Sequence, residues 1–331
     1  MGRYDLTDLS LLDVTAESAS VVDWQGRRAL RLENGVAFFK DTALSEARLE
    51  VCIATAGSAY PGIAFRAADA RNMELVYAQP HTSGLWDALQ YDPVFQGANT
   101  WQVYNGPRYQ KQAEIPTGRW FRLRVDLVGQ RAAITVDEGG AACDQPLVIG
   151  RLAHDRAAGR LGVWTYLPAY FADFRVAAAP ERLPAPSSPP LLPPGMVGEW
   201  LLEGCGPVRV EENGSLNLNR YLDQTLVSEA VVCREFIALR QGPLAISLGY
   251  SDEVELSIDR RQVFAGANKY SGIGASRRSR GYVEPGTESL LVQVAPGRHL
   301  LSARVRATEP FGWGLSLALA GDGIELLPTV G

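Results

Sequence analysis

The segment from Tyr60 to Tyr109 contains short apolar runs separated by turn-forming residues. It predicts four strands, at residues 62–67, 73–79, 87–91 and 100–105, because Pro, Gly, Asn and Asp cluster between them. A strand needs one apolar face to build a core. This segment also carries amides, aromatic rings and charges that a core does not require. We therefore predict that its second face forms a binding surface.

The rest of the first half has the same character. Residues 120–127 alternate with a period of two, and Gln25-Gly26 and Asn34-Gly35 predict hairpin turns because these residues tolerate positive φ. Helical periodicity is weak and confined to residues 152–158. These patterns predict an all-β sandwich.

Residues 180–195 contain seven prolines. Proline has no N–H for a strand ladder and favours an extended polyproline segment, so we predict a semi-rigid linker here. A second pattern of seven or eight strands follows, with a hairpin turn at residues 259–261. The predicted fold class is all-β: two β-sandwich (jelly-roll) domains at 1–179 and 198–331, joined by a Pro-rich linker at 180–197.

Charge and apolar patterning exclude several classes of partner. The net charge of −5 gives no general attraction to nucleic acid or to anionic lipid. No apolar run approaches the roughly 20 residues of a membrane span. Acidic residues interrupt the first residues where a signal peptide needs an apolar core, so the sequence as written predicts a cytoplasmic protein, or a secreted one if a leader has been removed. The oligomeric state is left open.

The four cysteines are far apart and form no C-x-x-C pair. Without a secretion signal we expect Cys52, Cys143, Cys205 and Cys233 to be reduced, with Cys52 and Cys233 buried in strands.

Several short patterns carry a resemblance to known families. Residues 20–178 resemble the concanavalin A-like lectin/glucanase (LamG-like) superfamily, on the patterns at 62–66, 118–121, 161–164 and 170–174. Residues 87–95 with 101–104 are similar to a group of bacterial sandwich proteins. The second half resembles a galactose-binding-like jelly roll, on residues 248–254 and 311–314. The resemblance implies a sugar-binding concave sheet, but the glucanase motif E-x-D-x-x-E does not occur, so the usual retaining mechanism is not expected.

Carbohydrate recognition needs flat aromatic faces together with amides and carboxylates that pair with hydroxyls. The central segment supplies both kinds of group. Because side chains alternate along a strand, we expect about half of these residues to share a face and the others to be structural. The predicted ligand-binding residues are Arg66, Tyr77, Gln79, Trp86, Gln90, Tyr91, Trp101, Gln102 and Tyr104.

Acid–base hydrolysis would need two carboxylates about 5–10 Å apart. Glu74 and Asp87 are the candidate acid/base groups, and His81, in a loop beside the same strands, is the candidate proton shuttle. For the two carboxylates a solvated surface position or a turn cap is the simpler alternative, and for His81 it is an ordinary polar residue of a loop. The sequence leaves open whether the protein is an enzyme. If it is one, we expect a glycoside hydrolase or lyase.

Neither a cofactor nor a catalytic metal is predicted. The three histidines form no H-E-x-x-H motif or clustered ligand set. The sequence is compatible with a structural Ca²⁺, for which Asp13, Asp173 and Asp252 are candidate ligands without supporting spacing.

The leading hypothesis is therefore a carbohydrate-binding or carbohydrate-processing protein that uses the concave sheet of its first sandwich. One alternative is a noncatalytic binding or assembly module, which should show an apolar patch or a free sheet edge. The other is a sandwich cleft that binds or cyclises a hydrophobic small molecule, which should show a closed apolar pocket.

Overall fold

The computed structural model describes residues 2–137, 145–186, 192–272 and 276–329. Two compact units divide the chain: unit 1 is Met1–Val94 with Gly106–Ser188, and unit 2 is Phe95–Asn105 with Pro189–Gly331. The assignment of Phe95–Asn105 to unit 2 has no counterpart in the sequence prediction. Cys143 and residues 187–191 of the predicted linker lie outside the described residues.

The described residues form strands and short 3₁₀ helices. The strands in the first half are β1 (Gly2–Tyr4), β2 (Leu12–Trp24), β3 (Arg27–Phe39), β4 (Ala47–Ala54), β5 (Tyr60–Asp69), β6 (Asn72–Ala78), β7 (Leu89–Tyr91), β8 (Val94–Phe95), β9 (Ala98–Asn99), β10 (Gln110–Lys111), β11 (Phe121–Val128), β12 (Arg131–Asp137), β13 (Leu147–Ile149), β14 (Arg160–Tyr166) and β15 (Ala169–Ala177). Those in the second half are β16 (Glu199–Leu202), β17 (Gly206–Arg209), β18 (Leu216–Asn217), β19 (Glu229–Ala238), β20 (Gly242–Ser251), β21 (Glu253–Ile258), β22 (Arg261–Ala267), β23 (Glu288–Val294), β24 (Gly297–Arg306), β25 (Gly314–Ala320) and β26 (Ile324–Leu326). The 3₁₀ helices are Leu9–Leu11, Pro80–Thr82, Leu218–Arg220 and Arg277–Arg280.

The all-β prediction is confirmed, since the described residues contain no α-helix. Two local predictions are wrong. Residues 100–105 form a turn rather than a strand, because the Val103 and Tyr104 N–H groups both bind the Thr100 carbonyl oxygen at 2.9 Å. The Asn34-Gly35 pair lies inside β3, where the positive φ of Asn34 (49°) produces an irregularity rather than a hairpin. The turn at Gln25-Gly26 is confirmed.

Unit 1 is built around the long hairpin β2–β3. Residues 35–38 of β3 pair with β14, and residues 30–32 pair with β15, so β3 lies in the middle of one continuous 15-stranded sheet. Within it, we call the part β10-β7-β6-β5-β14-β3 sheet A and the part β3-β15-β4-β11-β12-β13 sheet B. Leu30, Ile53, Ile63 and Phe171 of the two sheets are fully buried.

The alternation predicted for residues 120–127 is confirmed in β11 of sheet B. Phe121, Leu123, Val125 and Leu127 are buried, whereas the residues between them are half-buried on the outer face. Arg124 pairs there with Glu50 of β4 at 2.7 Å. A period of two therefore determines which side chains enter the core.

Unit 2 contains two sheets. The larger runs β17-β16-β19-β24-β21-β22 with β26 beside β19, and the smaller runs β18-β25-β20-β23. Trp200, Phe236, Tyr250 and Trp313 belong to their shared core. The predicted turn at residues 259–261 is confirmed, because Asp259 and Arg260 have positive φ between β21 and β22.

Three of the four cysteines, Cys52, Cys205 and Cys233, are free thiols. Cys52 is buried as predicted, whereas Cys233 is half-buried.

Among the described residues, no helix has the length and apolar character that crossing a membrane requires.

Candidate functional site

The predicted open face does not form as expected. His81, Trp86 and Trp101 are half-buried, and the other predicted residues are buried: Arg66, Glu74, Tyr77, Gln79, Asp87, Gln90, Tyr91, Gln102 and Tyr104. Strand register explains the difference. Tyr77 pairs with Gln90 on the outer side of sheet A, whereas the adjacent row, Val76 and Tyr91, faces the core. The roles of these residues in binding or catalysis stay predictions.

Arg66 holds three loops of unit 1 together. Its guanidinium donates to the carbonyl oxygens of Ser45 at 2.9 Å, Gly129 at 2.5 Å and Arg156 at 3.2 Å. It also donates to Oε1 of Gln130 at 3.2 Å. Burial is the largest effect on this group and lowers its pKa. These contacts give Arg66 a structural role in this conformation.

Glu74, a predicted acid/base group, lies in the core and is 0% exposed. Its carboxyl accepts hydrogen bonds from the Tyr91 hydroxyl at 2.6 Å and from the His154 backbone N–H at 2.8 Å. Burial raises the pKa of Glu74 to about 7, against the opposing effect of these hydrogen bonds and of the Arg66 charge. A ligand on the surface cannot contact this carboxyl in the described conformation.

Asp87 lies in the turn before β7 and is 3% exposed. Gln79 organises this turn, because its backbone N–H binds the Ala88 carbonyl at 2.8 Å and its amide binds the Asp87 carbonyl at 2.5 Å. Nε2 of Gln110 donates to Oε1 of Gln90 at 2.8 Å. The predicted amides of this region therefore bond within the unit.

Trp101, Gln102 and Tyr104 belong to unit 2. The ring centroid of Trp101 lies 5.4–5.8 Å from those of Tyr270, Tyr282 and Phe311. Gln102 accepts from the Ser251 hydroxyl at 3.0 Å and donates to the Arg280 carbonyl at 3.1 Å. Trp101 and Gln102, two of the predicted ligand-binding residues, therefore make these contacts within unit 2.

Glycines make room for this segment. A Cβ at Gly281 would lie 2.5 Å from Nε2 of Gln102, and one at Gly312 would lie 3.3 Å from its Cβ. Both glycines have positive φ, at 68° and 121°. Residues 100–103 therefore fit closely against backbone that larger residues would obstruct.

The structure brings a different set of rings together on the outer face of sheet A. We call Tyr60, Tyr77, His81, Trp164 and Tyr166 the aromatic cluster. Tyr60 is central: its ring centroid lies 5.9 Å from Tyr77, 4.7 Å from His81 and 5.7 Å from Tyr166. Tyr77 and Trp164 extend the cluster, with centroids 5.7 Å apart.

The aromatic cluster reaches the surface. The side chain of Tyr166 is 54% exposed, and Tyr60, His81 and Trp164 are half-buried. The turn after Tyr166 is held by Asn34, whose Oδ1 accepts from the Leu167 N–H at 2.8 Å. Nδ2 of Asn34 donates to Glu17 at 2.6 Å. Aromatic faces and polar groups therefore lie close together in unit 1.

The residues predicted from the sequence include Tyr77 and His81 of the aromatic cluster but not Tyr60, Trp164 and Tyr166. Trp164 and Tyr166 lie far along the chain from Tyr77, and the pattern at residues 161–164 indicates only a fold resemblance. A signal was present: Trp164 and Tyr166 alternate with Val163 and Thr165, which places both rings on one face of a strand.

Each of the three candidate calcium ligands binds another group of the protein, and their role in holding calcium stays a prediction. Asp13 pairs with Arg160 at 2.6 Å, and Asp173 pairs with Arg3 at 2.8 Å. Asp252 accepts from the Glu309 backbone N–H at 2.7 Å. Among the described residues, no group of three His, Cys, Asp or Glu side chains is arranged to hold a metal.

No protein-family model and no curated protein matches this chain. The carbohydrate-binding module CBM66 from Bacillus subtilis is similar in structure, with 17% identity over 50% of this chain and 95% of that chain and a TM-score of 0.37. The GH43 BlXynB protein from Bacillus licheniformis is similar at 13% identity over 50% of this chain and 35% of that chain, with a TM-score of 0.36. Domain 4 of AbnA, an extracellular GH43 arabinanase from Geobacillus stearothermophilus, shares 9% identity over 49% of this chain and 88% of that chain, with a TM-score of 0.26.

The resemblances to LamG-like and galactose-binding-like families stay predictions.

Proposed function

We propose that unit 1 binds carbohydrate through the aromatic cluster on the outer face of sheet A. The observation that carries this proposal is the exposed ring of Tyr166 beside the half-buried rings of Tyr60 and Trp164. A flat ring supplies the apolar surface against which the C–H face of a sugar packs. Contiguous apolar patches at a protein surface often mark binding sites.

Polar groups beside the rings would bind the sugar hydroxyls. The exposed carboxylate of Glu17 accepts from Nδ2 of Asn34 at 2.6 Å beside the turn that follows Tyr166, while the ring of His81 contacts that of Tyr60. A carboxylate binds sugar hydroxyls well, because its two oxygens together accept several hydrogen bonds. The ligand class that fits is a neutral saccharide with one apolar face.

Binding is favoured over hydrolysis. The proposed acid/base groups Glu74 and Asp87 are buried, and a hydrolase needs carboxylates that contact the glycosidic bond. The cluster is open to solvent at Tyr166, which is 54% exposed, and this argues against a closed cavity for a hydrophobic small molecule.

Affinity electrophoresis against a panel of soluble polysaccharides tests the proposal. At least one polysaccharide should retard the wild-type protein, and Tyr166→Ala with Trp164→Ala should abolish the retardation. Tyr166→Phe is the matched control, because it keeps the ring and should retain most of the binding. Unretarded migration of the wild-type protein in every polysaccharide would overturn the proposal.

A further inference from the structure

The strands at the ends of the sheets differ in how well they resist pairing with another chain. Edge strands are commonly protected by charges, proline or bulges. In unit 1, β2 pairs with β3 along one side and carries Asp13 and Glu17. In unit 2, β17 carries Pro207 and Arg209, and β22 carries Arg261 and faces a register shift in β21.

β23 lacks these protective features. Its sequence, ESLLVQV, contains no proline, lysine or arginine, and its one charge is Glu288 at the first position. One side of β23 pairs with β20 along all seven residues, and no strand among the described residues pairs with the other side. Its outward-directed backbone N–H and C=O groups therefore form a template for an added strand.

The exposed face beside this edge carries a row of apolar residues. Leu291, in the middle of β23, is 73% exposed, whereas Leu290 and Val292 pack against the core. Leu291 pairs with Ala245 of β20, which pairs with Ala320 of β25, and both alanines are exposed. An apolar row thus crosses three strands and ends at the free edge.

We propose that β23 is an interaction surface for a second copy of this chain, which adds its own β23 antiparallel with Leu291 opposite Leu291. A twofold axis makes such pairing self-complementary. The register places Glu288 opposite Val294 and Ser289 opposite Gln293, so no like charges face each other. It also joins the two apolar rows at their Leu291 ends. This inference is independent of the carbohydrate proposal, because it rests on unit 2 alone.

Analytical ultracentrifugation of the full chain across a dilution series tests the association. The wild-type protein should form a reversible dimer, and Leu291→Lys should be monomeric because it places two cations opposite each other at the axis. Leu226→Lys is the matched control: Leu226 is 81% exposed in a turn, so the dimer should persist. A monomeric wild-type protein at every concentration, or a dimer unaffected by Leu291→Lys, would refute the proposal.

Cysteine cross-linking tests the register. In the proposed dimer the two copies of Leu291 have Cα atoms roughly 4.5–5.5 Å apart, which suits a disulfide, so oxidised Leu291→Cys should give a covalent dimer. The two copies of Gln293 lie four positions apart, roughly 14 Å along the strands, so Gln293→Cys should give no more cross-linking than the wild type. Equal cross-linking of the two variants would contradict the register, and a strand contributed by another protein would give neither product in the purified sample.

Discussion

Tyr77 and Trp164 lie on either side of Gly62, with ring centroids 5.7 Å apart and an interplanar angle of 30°. Gly62 lacks a side chain, so the two rings approach each other above its backbone. The glycine thus makes room for two rings of the aromatic cluster.

A side chain at Gly62 should disturb this arrangement. A Cβ there would lie 2.0 Å from the Val76 carbonyl oxygen and 2.8 Å from the Cα of Tyr77. We expect Gly62→Ala to destabilise unit 1 by about 1–3 kcal/mol, the usual cost of overpacking. Urea unfolding measures this difference. Gly57→Ala is the control, because no heavy atom lies within 4 Å of its Cβ. Equal stability of the two variants would contradict the crowding argument.

The buried carboxyl of Glu74 should make stability depend on pH. Its folded-state pKa of about 7 exceeds the ordinary value of 4.5, so the folded protein binds the proton more tightly than the unfolded chain. Stability should therefore decrease as pH rises from 4.5 through about 7, by roughly 3 kcal/mol in total.

Glu74→Gln removes this titration and should flatten the dependence over the same range. Urea midpoints at several pH values measure it. Glu203→Gln, at an exposed glutamate of unit 2, serves as the charge-removal control and should keep the wild-type slope. A wild-type slope in Glu74→Gln would contradict this role of the Glu74 carboxyl.

We expect that lysine cannot replace the planar guanidinium group of Arg66. Lysine keeps the charge but cannot direct donors toward carbonyl groups of three separate loops. We expect Arg66→Lys to lower the stability of unit 1 by about 1–3 kcal/mol, because buried acceptors lose their donors. Thermal unfolding tests this, with Arg71→Lys at an exposed position as the matched control. A negligible effect at Arg66 would show that water replaces the guanidinium.

Because Gln102 hydrogen-bonds to other residues of unit 2, we expect its replacement to lower the stability of unit 2 locally. Gln102→Ala removes its contacts with Ser251 and Arg280, and we expect a cost of about 1–3 kcal/mol from buried groups left without partners. Hydrogen exchange should report faster opening near residues 280–283 and 251. Gln112→Ala, at an exposed position, is the control and should leave these rates unchanged.

Local sequence patterns correctly predicted several features of the fold. The alternation in β11, the turn at Gln25-Gly26 and the turn at Asp259-Arg260 depend on neighbours in sequence, and all three are present. The hairpin predicted at Asn34-Gly35 is wrong, because a residue with positive φ occurs at an irregular position within a strand as well as in a turn.

The candidate site depended on information that is not local. Tyr77 and His81 are recognisable by residue type, but Trp164, which packs on Tyr77, and Tyr166, which packs on Tyr60, come from a strand far along the chain. The burial of Glu74 was equally inaccessible, because a carboxylate is ordinarily a surface group.

The sequence by itself determined the all-β class, most strand positions and the residue types available for binding. It could do so because periodicity and turn chemistry act between neighbouring residues. Only the tertiary structure decided which rings meet across β5, β6 and β14 and which polar groups are enclosed. Those outcomes depend on strand register and on contacts between distant segments, where shifting a strand by one residue exchanges its buried and exposed faces.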